Sequence, residues 1–201
     1  MKNIAILASG EGTNAEQIIR HFTAHPTVKV TIVITNKADA GVIRRASSLG
    51  IPVEHLPASA FREGKVTETL RRHGIDFIVL AGFLLRIPDD MLAAYPQAIV
   101  NIHPSLLPKH GGKGMYGSRV HEAVLEAGDT ESGITIHYIN EHYDEGAIIL
   151  QARCPVMPDD TPDTLATRVH RLEYEHYPKV IEELLCDHSD LPKQPVSLGK
   201  G

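Results

Sequence analysis

Short apolar runs alternate with amphipathic stretches along the first half of the chain. Asn3–Ala8, Val28–Ile34 and Phe77–Ala81 are continuous runs rich in β-branched residues, the pattern of parallel strands covered on both faces. Between them, Thr13–Phe22 places Ala15, Ile18, Ile19 and Phe22 at helical spacing, and Asp39–Leu49 reads as a helix stopped by Gly50. A short strand near Val53–Leu56 and a helix over Lys65–His73 complete three β-α-β units. That alternation predicts a doubly wound parallel sheet.

The second half has a different character. After a strand over Ala98–Ile102, two prolines (Pro104, Pro108) and four glycines (Gly111, Gly112, Gly114, Gly117) mark a long loop, and such loops usually carry function. A helix over Ser118–Ala127 follows. Gly133–Ile139 and Ala147–Val156 then read as a strand pair that continues the sheet, joined by a polar turn containing Asp144-Glu145-Gly146. Pro162 falls in the first turn of a long helix, Thr164–Leu185, with Thr161 as its cap. The expected fold is α/β and three-layered. Its mostly parallel, twisted sheet is Rossmann-like in the N-terminal half, with helices on both faces and an antiparallel addition near the C-terminus. One domain is expected over residues 1–188, with a polar, frayed tail over 189–201.

Composition narrows the partners. A chain of 201 residues with 42% hydrophobic and 22% charged positions buries a full core without staples. Net charge is −5 with the basic residues scattered, which argues against a nucleic-acid or membrane surface. Small molecules are the expected partners, and an anionic one must be held by a local arrangement. Cys154 and Cys186 form neither a disulfide framework nor a metal spacing, so two free thiols in a reducing compartment are expected. The opening Met1-Lys2-Asn3 and Ile4–Ala8 are too brief for a signal peptide, and no apolar run approaches the ~18 residues a membrane span needs. Those features predict a cytoplasmic protein, and monomer and homodimer both stay open.

Three constellations carry candidate chemistry. Ser9-Gly10-Glu11-Gly12-Thr13-Asn14 joins the first strand to the first helix, where glycines permit a tight turn and helix N–H groups face a phosphate. It lacks the third glycine of the dinucleotide fingerprint, so it reads as a mononucleotide-type phosphate site or as a plain turn and cap. Asn101-Ile102-His103-Pro104-Ser105-Leu106-Leu107-Pro108 ends a strand. Alternation puts Asn101 and His103 on one side, an amide and an imidazole suited to stabilising an oxyanion. The bland alternative is a capped turn. Asp144 gains interest only if it lies near His103, because a carboxylate favours the charged imidazole. Twelve histidines raise the question of metal. His21 and His25 are one turn apart, and His170 and His176 share the last helix, but none has a nearby acidic or thiol ligand at usable spacing. His121, His137 and His142 are isolated. Solvent-facing or structural histidines, and no metal site, are the expectation.

In this order the segments resemble the phosphoribosylglycinamide formyltransferase family. The likeness runs from Ile4 to about Pro178 and is most specific in Asn101–Pro108 followed by Asp144–Gln151, with Ser9–Asn14 and Leu80-Ala81-Gly82-Phe83 in support. It implies formyl transfer from 10-formyltetrahydrofolate, a co-substrate, to the amine of N1-(5-phospho-D-ribosyl)glycinamide in purine biosynthesis, without a metal or a covalent enzyme adduct. It also implies roles for named residues. Gly12, Thr13 and Asn14 hold the substrate phosphate. Leu84, Leu85, Arg86 and Ile87, with Asn101, receive the folate; the segment Phe61-Arg62-Glu63-Gly64-Lys65 departs from the family pattern, so a basic contact to the folate falls to Lys65 or Arg62 or is missing. Asn101, His103 and Asp144 are the catalytic trio, and Glu173 stands near the glycinamide end. The resemblance implies a cis Leu107–Pro108 bond. The glycine-rich loop His110–Gly117 departs from the shorter, proline-containing loop of relatives, and it is expected to close over phosphate or ribose with Lys113 exposed. A formyltetrahydrofolate deformylase would use the same trio on water, but such relatives carry a further N-terminal domain. A methionyl-tRNA formyltransferase would bring a basic tRNA-binding domain. A silent folate- or nucleotide-binding module is the reading from outside enzymology.

Overall fold

The structure, a computed structural model, describes residues 1–186 of the 201. The tail expected over 189–201 and the last two residues of the expected domain lie outside the described residues. Five strands, β1 (Lys2–Leu7), β2 (Val28–Thr35), β3 (Val53–His55), β4 (Phe77–Leu80) and β5 (Ile99–His103), run parallel to one another. β6 (Glu131–Tyr138) pairs antiparallel with β5, and β7 (Ile148–Pro155) antiparallel with β6. The sheet order is β3-β2-β1-β4-β5-β6-β7. Chain order therefore reverses at β1, between β2 and β4, and the crevice beyond the strand ends at this switch point is where such sheets bind ligands.

Helices cover both faces because the strands alternate within their apolar runs. Ile4 and Ile6 of β1 face α1 (Thr13–Phe22), α2 (Gly41–Ser48) and α7 (Pro162–Leu185). Ala5 and Leu7 face α3 (Ala58–Arg62), α4 (Lys65–Arg72) and α5 (Asp89–Ala94). A seventh helix, α6 (Ser118–Glu126), packs beside α7 on the first face. Both cores are closed to water, with Ile4, Leu7, Ile18, Leu70 and Tyr177 fully buried.

Three sequence expectations need correcting. α2 starts at Gly41, not Asp39, with Ala40 extended before it. α3 and α5 were not expected at all. At five and six residues, neither is long enough to show a helical period, and each follows a proline that sets its first turn. At the other end, α7 behaves as its start signals predict. Thr161 accepts from the Thr164 N–H, Thr164 returns a bond to Thr161, and Pro162 occupies the first turn.

Candidate active site

The loops beyond β1 and β4 are tied together at the switch point. Ser9 N–H donates to Gly82 O at 3.1 Å, and Ser9 Oγ accepts from Leu84 N–H at 3.0 Å while donating to Asn36 Oδ1 at 2.6 Å. Gly12 then enters α1 with φ +77, and a Cβ there would stand 2.5 Å from Val42 Cβ. Only glycine fits that turn. No side chain caps the helix, so its first N–H groups and the positive end of its dipole face the cleft. The plain turn-and-cap reading keeps its turn, at Gly12, and lacks a side-chain cap.

A cleft of about 720 Å³ opens here, lined by Gly10–Asn14, Asn101, His103, Asp144 and Glu173 and bordered by Gly112–Ser118. Asn101 and His103 lie two residues apart on β5, as strand alternation requires. Asp144 comes from the turn between β6 and β7. Its backbone is left-handed (φ +57), a region that aspartate enters more readily than most side chains. Gly146 makes the turn possible, since a Cβ there would fall 1.7 Å from Tyr138 O. Residues about forty positions apart thus meet. Asp144 Oδ2 is 3.6 Å from His103 Nδ1 and accepts from Gly112 N–H at 2.9 Å.

The tautomers follow from the partners. His103 Nε2 lies 2.8 Å from the carbonyl of His110, which only accepts, so Nε2 carries hydrogen and Nδ1 turns toward Asp144. His137 was expected to be solvent-facing or structural. It fits the structural half of that expectation: it is fully buried on β6, opposite Asn101 in the strand register, with Nε2 3.1 Å from Asn101 Nδ2 and 3.7 Å from Asp144 Oδ1. Burial pushes its pKa down, against the bond to Tyr138 O that favours the charged form. His121, also expected to be solvent-facing or structural, is buried and lines the cleft from α6, and burial lowers its pKa to about 4. Its Nδ1 is buried and has no hydrogen-bond partner among the described residues. Register with β5 was the signal for His137, readable only once the hairpin is paired to that strand.

Glu173 of α7 is buried at the cleft wall and accepts from Asn14 Nδ2 at 2.8 Å. Burial pushes its carboxyl up, partly offset by that amide. One turn on, Tyr177 Oη donates to Leu80 O (2.9 Å) and Val100 O (3.2 Å), fixing α7 against the ends of β4 and β5. Leu85, Arg86 and Ile87 line a smaller cavity of about 70 Å³ that shares Asn101 and Asp144 with the cleft, while Leu84 lines the cleft itself. Arg86 is held by Asp89 at 2.8 Å. Lys65 is not brought to either cavity. It is exposed at the start of α4 with its ammonium on Glu63, because the αL turn at Gly64 brings the two together. The Leu107–Pro108 bond is cis.

The histidine pair His21/His25 does meet acidic and thiol groups in space, contrary to the reading from spacing. His25, Glu182 and Cys186 bring ligand atoms within 4.8 Å of one another. His25 Nδ1, however, accepts from Thr27 and Val28 N–H, so Nε2 holds the hydrogen and donates to Glu182 Oε1 at 3.2 Å. Its lone pair is therefore not offered to a metal. His21 engages the second Glu182 oxygen at 2.6 Å, making the group a clasp between α1 and α7.

An amide, an imidazole and a carboxylate meet at the carboxyl edge of the parallel sheet beside an uncapped helix start, groups able to stabilise an oxyanion and to receive an anion. The chain belongs to the formyl transferase family, whose model matches residues 2–181. It is 41% identical over 187 residues to a chloroplastic phosphoribosylglycinamide formyltransferase of Arabidopsis thaliana, covering 90% of this chain and 64% of that protein. It is 39% identical to the phosphoribosylglycinamide formyltransferase of Haemophilus influenzae, covering 90% and 86%. Two plant relatives are thus spanned over less than two thirds of their own length, 64% and 61%. Among solved structures, the phosphoribosylglycinamide formyltransferase of Bacillus halodurans superposes with a TM-score of 0.85 at 38% identity, covering 96% of this chain and all of that one. The enzyme of Streptococcus pneumoniae gives 0.83 at 35%, covering 92% and 100%.

Proposed function

We propose that this protein transfers a formyl group from 10-formyltetrahydrofolate to the amine of N1-(5-phospho-D-ribosyl)glycinamide. The observation that carries the proposal is the meeting of Asn101, His103 and Asp144 in the same cleft as Gly12, Thr13 and Asn14. The names of the relatives supply the acceptor. In this reading the phosphate sits on the start of α1. Glu173, bonded to Asn14, faces the sugar and glycinamide portion. The pterin enters the smaller cavity along Leu84–Ile87. The loop His110–Gly117, with Lys113, covers the nucleotide.

The amine attacks the formyl carbon, a C–N bond forms, and the carbonyl oxygen takes negative charge. Asn101 Nδ2 donates to that oxygen. His103, its Nε2–H already on the His110 carbonyl, supports it with a second proton that Nδ1 takes up during the reaction beside the Asp144 carboxylate 3.6 Å away. Collapse breaks the bond to the folate nitrogen, and the proton lost by the attacking amine passes to that leaving nitrogen by way of Asp144. Both nitrogens and the donor groups are held in one cleft, and that positioning lowers the entropic part of the barrier.

The two buried faces share one sheet, which supports a single domain over 1–188. Cys154 and Cys186 are free, and no helix among the described residues is long and apolar enough to cross a membrane, both in keeping with a cytoplasmic setting. Incubation with 10-formyltetrahydrofolate, with and without glycinamide ribonucleotide, tests the activity. Folate turnover only with the nucleotide is expected. Turnover on water alone identifies a deformylase, and no turnover identifies a binding module.

A further inference from the structure

We propose that Asp129 is a positioning residue for this reaction, fixing which nitrogen of His103 faces the cleft by holding His110 in place. The proposal rests on the role given to His103 above. Asp129 does not line the cleft; it borders a separate cavity of about 230 Å³ behind the loop that follows β5. Its two oxygens grip consecutive residues of that loop. Oδ1 accepts from Lys109 Nζ at 2.9 Å, and Oδ2 accepts from His110 Nε2 at 2.7 Å. His110 is left-handed (φ +52), a region uncommon for residues other than glycine but one that histidine, like asparagine and aspartate, enters more readily than most. On the other side of the grip, Ser105 Oγ donates to Lys109 O at 2.7 Å.

The outcome of this clamp is the direction of one carbonyl. His110 C=O receives His103 Nε2–H at 2.8 Å, which leaves Nδ1 toward Asp144. A carbonyl free to turn away would let both tautomers form. Only one of them presents the right nitrogen to the reacting oxygen and the carboxylate. The bonds from His110 and Lys109 hold the Asp129 carboxyl below its usual range, in keeping with a charged anchor.

Two variants probe the clamp from its ends. Asp129→Ala removes the anchor, and His110→Gly keeps the left-handed backbone while removing the tether. Each is expected to lower kcat about tenfold with KM for both substrates within about twofold, and the double variant to be no slower than either single. Asp129→Asn keeps the shape without the charge and serves if the alanine variant does not fold. Glu131→Gln, on an exposed neighbouring ion pair with Arg153, is expected to leave kcat unchanged. Histidine ¹⁵N chemical shifts report the tautomer of His103 whether or not the enzyme turns over. Wild type is expected to show Nε2–H and the two variants a mixture. An unchanged tautomer in Asp129→Ala with unchanged kcat would overturn the proposal, as would losses that multiply in the double variant. A tautomer change in a protein that transfers no formyl group would overturn the reaction and leave the clamp standing.

Discussion

The amide nitrogen of Asn101 lies 3.1 Å from Nε2 of His137, and the bond between them runs one way. Nδ2 only donates, so Nε2 accepts and His137 Nδ1–H donates to Tyr138 O at 2.9 Å. The ring thus fixes the amide with one N–H spent and the other free for a developing oxyanion. Asn101→Ala is expected to lose on the order of 10²–10³ in kcat, the scale for one oxyanion donor. His137→Ala, which only releases the amide, is expected to lose about tenfold. Steady-state kinetics checks both, and equal losses would mean that His137 acts on the substrate directly.

At the start of α1, Gly12→Ala meets two obstacles, a left-handed φ and the side chain of Val42. The first costs about 1–2 kcal/mol for an L-residue. The nucleotide KM is expected to rise at least about tenfold, because the turn that aims the N–H groups moves. Adding Val42→Ala removes Cγ2 but leaves Cβ at 2.5 Å and Cα at 2.7 Å, so it is expected to recover little of the lost stability, as measured by thermal melting.

Glu173 is a buried acid with its carboxyl pushed up. The folded state then binds a proton more readily than the unfolded chain, so charging Glu173 costs stability as pH rises through and beyond the ordinary carboxylate value. Glu173→Gln removes that cost and keeps an acceptor for Asn14. The variant is expected to melt higher than wild type at neutral pH and level with it in acid, while its nucleotide KM rises. Equal melting differences at all pH values would contradict the argument.

His121 gives the opposite slope. Its folded pKa is near 4 against an ordinary 6.5, so below 6.5 the unfolded chain takes up a proton that the folded state refuses. Stability present above that pH is lost as pH falls toward 4, at a limiting rate of about 1.4 kcal/mol per pH unit. His137, also lowered, adds in the same sense. Urea unfolding across this window is expected to show a shallower slope for His121→Gln than for wild type.

The doubly wound half was legible because buried parallel strands and amphipathic helices leave distinct periods, and the extent of α1 (Thr13–Phe22) could be read directly. α3 and α5 left no period to read. Asn101 and His103 were visible as a pair because they share one strand face. Asp144 was visible as a turn carboxylate, and its place beside His103 was expected only through likeness to a family, since the closing of β6 on β5 is a long-range event. The same event hid His137, which looks isolated in sequence and becomes Asn101's partner only in register. His121 was hidden because α6 follows a long loop whose path sets which face meets the cleft. The meeting of His21 and His25 with Glu182 is likewise a product of α1 packing on α7.

The central claim is that Asp144 acts on the reaction through its charge, facing His103 Nδ1 across 3.6 Å. Asp144→Asn retains an acceptor for Gly112 N–H and removes the charge. The decisive measurement is the single-turnover rate of formyl transfer by this variant, with both substrates saturating. A fall of about 10²–10⁴ with an unchanged melting temperature is expected for a group that manages a proton. A rate equal to that of the wild type would contradict the account.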